Sequence, residues 1–134
     1  MRIVFGGYVV GSDSSRTQLP VMIDPTDVAI AKTVAAIGGA AGVLEMRCDP
    51  APEFGPLNLT LYSEGGGFLL VLTEMTDDGE ARAKTLINKN AKNDLVCILG
   101  EKYPAKAVAD DLVLVCSAFK EFAQTGTISK ICMS

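Results

Sequence analysis

The sequence contains no histidine. That removes the commonest general base, the usual partner of a serine or cysteine nucleophile and the commonest metal ligand. It has no C-x-x-C pair among Cys48, Cys97, Cys116 and Cys132, so zinc-ribbon and thioredoxin-like readings lack their spacing. No apolar run approaches the roughly 18 residues of a membrane span. The opening MRIVFGGYVVGSDSS makes a poor signal peptide, because Gly6, Gly7 and Gly11 interrupt a stretch that alternates like a strand. Basic side chains are in deficit: 12 Lys and Arg against 16 Asp and Glu give a net charge of −4. An acidic balance disfavours direct contact with nucleic acid, which needs clustered Lys and Arg, and suits a basic protein partner or plain solubility. These absences lead to an expected soluble, cytoplasmic protein with no membrane segment, no metal, no cofactor and no catalytic group.

What is present is apolar material. Of 134 residues, 49% are hydrophobic and 21% charged, enough to order a single domain over residues 1–134 around one core. Residues 2–10 (RIVFGGYVV) read as a strand, with Gly6-Gly7 marking a bulge or a close backbone approach. GSDSSRTQ reads as a polar loop. In DPTD, Asp24 is placed to cap a helix, Pro25 to open it and Asp27 to complement its dipole. Ile30, Val34 and Ile37 then form its buried stripe, and Gly38-Gly39 stops it.

VLEMRC alternates, with Leu44, Met46 and Cys48 inward and Glu45 and Arg47 outward. LNLTLYSEGGGFLLVLTEM is a hairpin turning on Gly65, Gly66 and Gly67. Its return strand is apolar on both faces and belongs in the middle of a sheet. TDDGE is a second turn, ARAKTLI the next strand, and LVCILG another strand in the same run. A last helix begins between Ala105 and Asp110 and ends near Gln124. Val108, Leu112, Val115, Phe119 and Phe122 form its stripe, and Gly126 its left-handed stop. Clustered strands flanked by helices predict an α+β fold: a mainly antiparallel sheet of about five to six strands, with two amphipathic helices packed on one face. Cys48, Cys97 and Cys116 lie in apolar segments and read as small reduced hydrophobes; Cys132, near the terminus, has room to be exposed.

Neither GGYVVG nor GGAAG has the spacing or the following helix of a phosphate-binding turn. Ser63 and Ser117 lack a base and a G-x-S-x-G elbow. Lys84, Lys89 and Lys92 make too short a basic stretch, without aromatic interleaving, for nucleic acid. Two acidic groups stand out: Glu74, Asp77, Asp78 and Glu80 around a hairpin turn, and Asp110 and Asp111 near the last helix. Asp is favoured in turns and at helix starts for local hydrogen bonding. The same carboxylates are the candidate contacts for a basic protein.

The opening strand with GGY, the hairpin LTLYSEGGGFLLVL, LVCILG and the closing FKEFAQTGTIS together cover most of the chain. This pattern resembles the small immunity proteins of bacterial contact-dependent inhibition and polymorphic toxin systems. The residues carrying the closing motif are Glu121, Phe122, Gly126, Ile128 and Ser129. The resemblance implies a cytoplasmic protein that binds a cognate toxin domain, often a nuclease, and blocks its active or substrate-binding surface without chemistry of its own. Two alternatives stay open. One is a small-molecule-binding module or minor enzyme using the sheet face that helices leave uncovered, with Tyr8, Tyr62 or a carboxylate as polar contacts. The other is a homo-oligomeric structural subunit joined through a sheet edge or the terminal segment.

Overall fold

A computed structural model describes residues 2–131 and 133–134. In chain order the elements are β1 (Arg2–Val10), β2 (Arg16–Gln18), β3 (Met22–Ile23), α1 (Asp27–Ile37), β4 (Ala41–Asp49), β5 (Gly55–Glu64) and β6 (Gly67–Met75). They continue with β7 (Ala81–Thr85), β8 (Leu95–Ile98), β9 (Glu101–Pro104), β10 (Val108–Ala109) and α2 (Leu112–Thr125). The fold is α+β. Its sheet runs β10-β6-β5-β4-β1-β2, with the short β3 added to β1 and β7 to β6. All these pairings are antiparallel. The doubly apolar return strand β6 is central, as its composition predicts, with β5 on one side and β7 and β10 on the other.

Both helices cover one face of this sheet. Strand alternation sends Ile3, Phe5, Leu44, Met46, Cys48, Leu59, Leu61, Phe68, Leu70 and Leu72 to that face. Ile30, Val34 and Ile37 of α1, with Val115, Phe119 and Phe122 of α2, meet them there. The Phe5 and Phe119 rings lie 5.0 Å apart, joining sheet to helix. Each large side chain so buried contributes about 1.5–3 kcal/mol. Gly42 admits α1: a Cβ there would come within 2.8 Å of Ile37 Cδ1. Gly7 is a close approach and not a bulge, because the β1–β4 register is unbroken and a Cβ would fall 2.0 Å from the Val43 carbonyl oxygen.

Several local expectations are corrected. Asp24 does not cap α1; Thr26 does, its hydroxyl accepting from Ala29 N–H at 3.2 Å. Asp24 instead prolongs the sheet, its carboxylate accepting from the Ile3 N–H at 2.9 Å. The last three residues of GSDSSRTQ are strand: after the Gly11–Ser15 turn, Arg16–Gln18 pairs back onto Tyr8–Val10. Gly67 starts β6, so Gly65 and Gly66 alone form the two-residue turn, with φ of 60° and 82°. Helix α2 begins only at Leu112, where the Asp111 carboxylate accepts from Val113 N–H at 2.9 Å. Val108 is therefore outside the helical stripe and pairs with Leu69 in the sheet. Cys97 is exposed and not a core residue, whereas Cys48 is buried, which raises its thiol pKa. Cys132 lies outside the described residues.

LVCILG does not join the main sheet. Strands β8 and β9 form a separate two-stranded hairpin lying against the face opposite the helices. Ile98 is its buried anchor, packed with Leu69 and Val108 of the sheet; Tyr62, Val71, Val96, Leu99 and Tyr103 are half-buried around them.

Candidate functional site

Register across the uncovered face brings distant residues into one row. Tyr8 of β1 opposes Val43 of β4, Val43 opposes Tyr62 of β5, and Tyr62 opposes Leu69 of β6. The β8–β9 hairpin roofs the Leu69 end of this row. The β1–β2 hairpin stands over the other end, with Val10 paired to Arg16. Between the two hairpins lies a cleft of about 750 Å³ whose lining includes Tyr8, Tyr62, Tyr103, Arg16, Glu64 and Glu101. These three tyrosines are all the chain has. The volume falls in the ordinary range for ligand sites.

Two charged contacts shape the cleft. The Glu64 carboxylate accepts from the Leu99 N–H at 2.9 Å, tying the end of β5 to the β8–β9 turn. That turn has Leu99 at φ 52° and Gly100 at φ 87°. Leu99 occupies a left-handed conformation that leucine rarely adopts, and the Glu64 contact holds it there. On the opposite wall the Arg16 guanidinium lies 4.5 Å from the centre of the Tyr8 ring, a cation–π contact. On the floor, burial pushes the Tyr62 hydroxyl pKa up, with the neighbouring Tyr103, Glu45 and Tyr8 adding to the rise.

The six acidic residues singled out in the sequence stay in two separate groups. Glu74 is engaged by Lys84 at 3.0 Å. Asp77, Asp78 and Glu80 are exposed around the β6–β7 turn. Asp78 is bound into that turn: the Thr76 hydroxyl and then the Glu80 N–H donate to its carboxylate and lower its pKa. Asp110 and Asp111 follow β10, whose partner is the opposite end of β6, roughly 25 Å away at strand rise. Asp111 serves as the helix cap. Around the β6–β7 turn the four carboxylates share a shallow hollow of about 800 Å³ with Phe54, which is 63% exposed. Ser63 is buried and donates to the Ala40 carbonyl at 2.9 Å, a structural contact.

Glu121 has a role the sequence reading did not assign. It is buried on α2 and faces the returning C-terminal segment. Its carboxylate accepts from the Ser129 N–H at 2.9 Å, the Ser129 hydroxyl at 2.7 Å and the Lys130 N–H at 3.2 Å. Burial alone would raise its pKa; these hydrogen bonds outweigh it and hold the carboxyl below its ordinary value. Gly126, at φ 74°, makes the left-handed stop that turns the chain back. Ile128 packs against the core, and Ser134 exchanges backbone hydrogen bonds with Thr85 at the end of β7. The first and last residues of the closing motif, Glu121 and Ser129, thus bind each other.

Sequence alternation placed Tyr8 and Tyr62 on the uncovered face. It missed Arg16, Glu64, Glu101 and Tyr103. The missing signal was the second hairpin, whose two-residue turn is disguised by a leucine at a position where Asn or Gly is usual. Among the described residues, no three Cys, Asp or Glu side chains gather as a metal site, and no helix is long and apolar enough to cross a membrane.

Sheet, helix layer, back-face hairpin and cleft define an α+β protein with one face sealed and one partly open. The chain belongs to the family described as "Family of unknown function (DUF6911)", whose profile matches residues 2–132. It is similar to a hypothetical protein from Neisseria gonorrhoeae known from a crystal structure. The two share 30% identity and a TM-score of 0.84, over 98% of this chain and 92% of that one. No curated protein matches the chain.

Proposed function

We propose that the protein is a cytoplasmic immunity protein. It binds a cognate bacterial toxin domain, a basic nuclease, and covers its active or substrate-binding surface without catalysis of its own. The observation that carries this reading is the hollow at the β6–β7 turn. There an exposed Phe54 sits among Asp77, Asp78 and Glu80. An aromatic anchor inside a carboxylate rim suits a basic protein surface, and the net charge of −4 would steer its approach. Glu74 is already paired, Asp111 caps α2 and Asp110 lies near the far end of β6, so Asp77, Asp78 and Glu80 are the favoured contacts.

The test is neutralisation of the product of the adjacent upstream reading frame. A product that is not toxic, or a toxic one that this protein neither binds nor neutralises, refutes the reading. Reversing the charges of Asp77, Asp78 and Glu80 together should slow association about tenfold at low salt, with the effect shrinking as salt rises. An unchanged rate removes this turn from the interface.

A second reading, a small-molecule-binding module, is favoured by the tyrosine-lined cleft itself. It predicts that some small solute perturbs the tyrosines saturably; a cleft inert to cationic, neutral and anionic probes alike would refute it.

A further inference from the structure

The tyrosine cleft has an electrostatic character that names a ligand class. Its two lining carboxylates, Glu64 and Glu101, stand on the β5 and β9 side. The ion pairs among the described residues involve other acids: Asp49, Glu45 and Glu74. Glu64 spends one oxygen on Leu99 N–H, leaving the other for a ligand. Three electron-rich rings line the same space, Tyr8 already under Arg16 and Tyr62 and Tyr103 without a cation of their own among the described contacts; a tyrosine supplies both a π face and a hydroxyl acceptor.

The cleft also contains its own demonstration. Arg16 lays a planar guanidinium over Tyr8, and does so from an exposed edge strand. A flat, weakly hydrated cation suits an aromatic face and a forked carboxylate contact better than an ammonium does. The Tyr62 and Tyr103 side of the cleft supplies rings together with the carboxylates of Glu64 and Glu101.

We propose that the cleft between the β1–β2 and β8–β9 hairpins is a receptor site for a guanidinium-bearing ligand, held by the rings of Tyr62 and Tyr103 and the carboxylates of Glu64 and Glu101. The proposal rests on the second reading above, in which the cleft is a binding site, and is independent of the toxin. A free guanidinium compound and an arginine side chain presented on a polypeptide share this chemistry.

Tyrosine fluorescence is a direct readout, because the chain has no tryptophan and its three tyrosines all line the cleft. The full chain is titrated with acetyl-arginine-methylamide, its uncharged citrulline counterpart and acetyl-glutamate. A saturable response to the arginine compound alone is expected. Glu101→Gln should weaken it about fivefold. Arg16→Gln should strengthen it by about twofold or more, because it removes a like charge and frees the Tyr8 ring. A cleft for anions requires the opposite sign in both variants. An equal response to citrulline, no response to arginine, or reversed signs in the variants overturns the proposal. If acetyl-glutamate alone responds, the guanidinium proposal falls while the cleft remains a binding site; if all three probes are silent, both fall. A heptapeptide with central arginine distinguishes the ligand's source. Binding as tight as the free compound points to a polypeptide side chain, and exclusion of the peptide to a small molecule. Glu101→Gln leaves the Glu64–Leu99 contact intact, so its folding is checked by an unchanged melting curve.

Discussion

The two faces of this sheet are built on different terms. The helix-covered face is apolar, with Phe5, Leu44, Met46, Leu59, Leu61 and Leu70 fully enclosed beneath α1 and α2. The opposite face has a small cluster around Leu69, Ile98 and Val108, and beside it an open cleft with phenols, a guanidinium and carboxylates. The same strands supply both, by alternation. Stability is concentrated where the alternation meets two amphipathic helices. The other side is freer to carry chemistry because less of the fold depends on it.

That contrast can be broken by experiment, the largest effect first. Phe122→Ala opens a hole in the helix-covered core and should cost about 3–5 kcal/mol in urea unfolding. Ile98→Ala removes the anchor of the back-face hairpin and should cost about 2–3 kcal/mol, since one side of that cluster can relax toward the cleft. Equal losses for the two would show that both faces are structural cores and would end the distinction.

A smaller effect is expected at Glu121, which closes the helix-covered side against the C-terminal segment. Glu121→Gln weakens three hydrogen bonds to a charged acceptor and should cost about 1–2 kcal/mol. The wild-type contribution also depends on pH in a definite direction. Because the folded carboxyl lies below its ordinary value of 4.5, its stabilisation is complete above that value and is lost as acid carries the pH down through the folded pKa. The difference between wild type and Glu121→Gln should therefore narrow below about pH 4; a constant difference would place the effect in packing and not in charge. Tyr62→Phe should be the mildest, under about 0.5 kcal/mol, because its ring packing is retained, while its hydroxyl is lost to the cleft.

Much of the helix-covered face was legible in the sequence. Ile30, Val34 and Ile37 recur at helical spacing, Leu44, Met46 and Cys48 at strand spacing, and all are buried as read. Gly38 and Gly126 end the helices where glycine is needed to turn the chain. These signals are local, so a single sequence carries them. The start of α2 was misread because Val108 fits a helical stripe as well as it fits a buried strand. Pairing with Leu69, a contact across 39 positions, decides between them. Asp24 shows the same limit: Asp before Pro reads as a cap, yet its carboxylate is taken by Ile3, 21 residues away.

The site was half legible. Alternation alone puts Tyr8 and Tyr62 on the face away from the helices, and the acidic turn was recognisable as a turn. Nothing local announces that LVCILG leaves the sheet, folds with residues 101–104 and lies across the back face, bringing Tyr103 and Glu101 toward Tyr62. The closing FKEFAQTGTIS was readable as helix and stop, but the pairing of Glu121 with Ser129 was not. Hydrogen bonds depend on where the returning chain passes.

Read alone, the amino-acid order shows which residues are apolar at period two and period 3.6, where glycine breaks them and what net charge the chain carries. Those are properties of neighbouring side chains and of backbone preference, and they suffice for an α+β sheet with a helix-covered face. What occupies the other face emerges once the chain is folded. A cleft is defined by strand register and by the placing of two hairpins, and both are set by contacts between residues far apart in the chain.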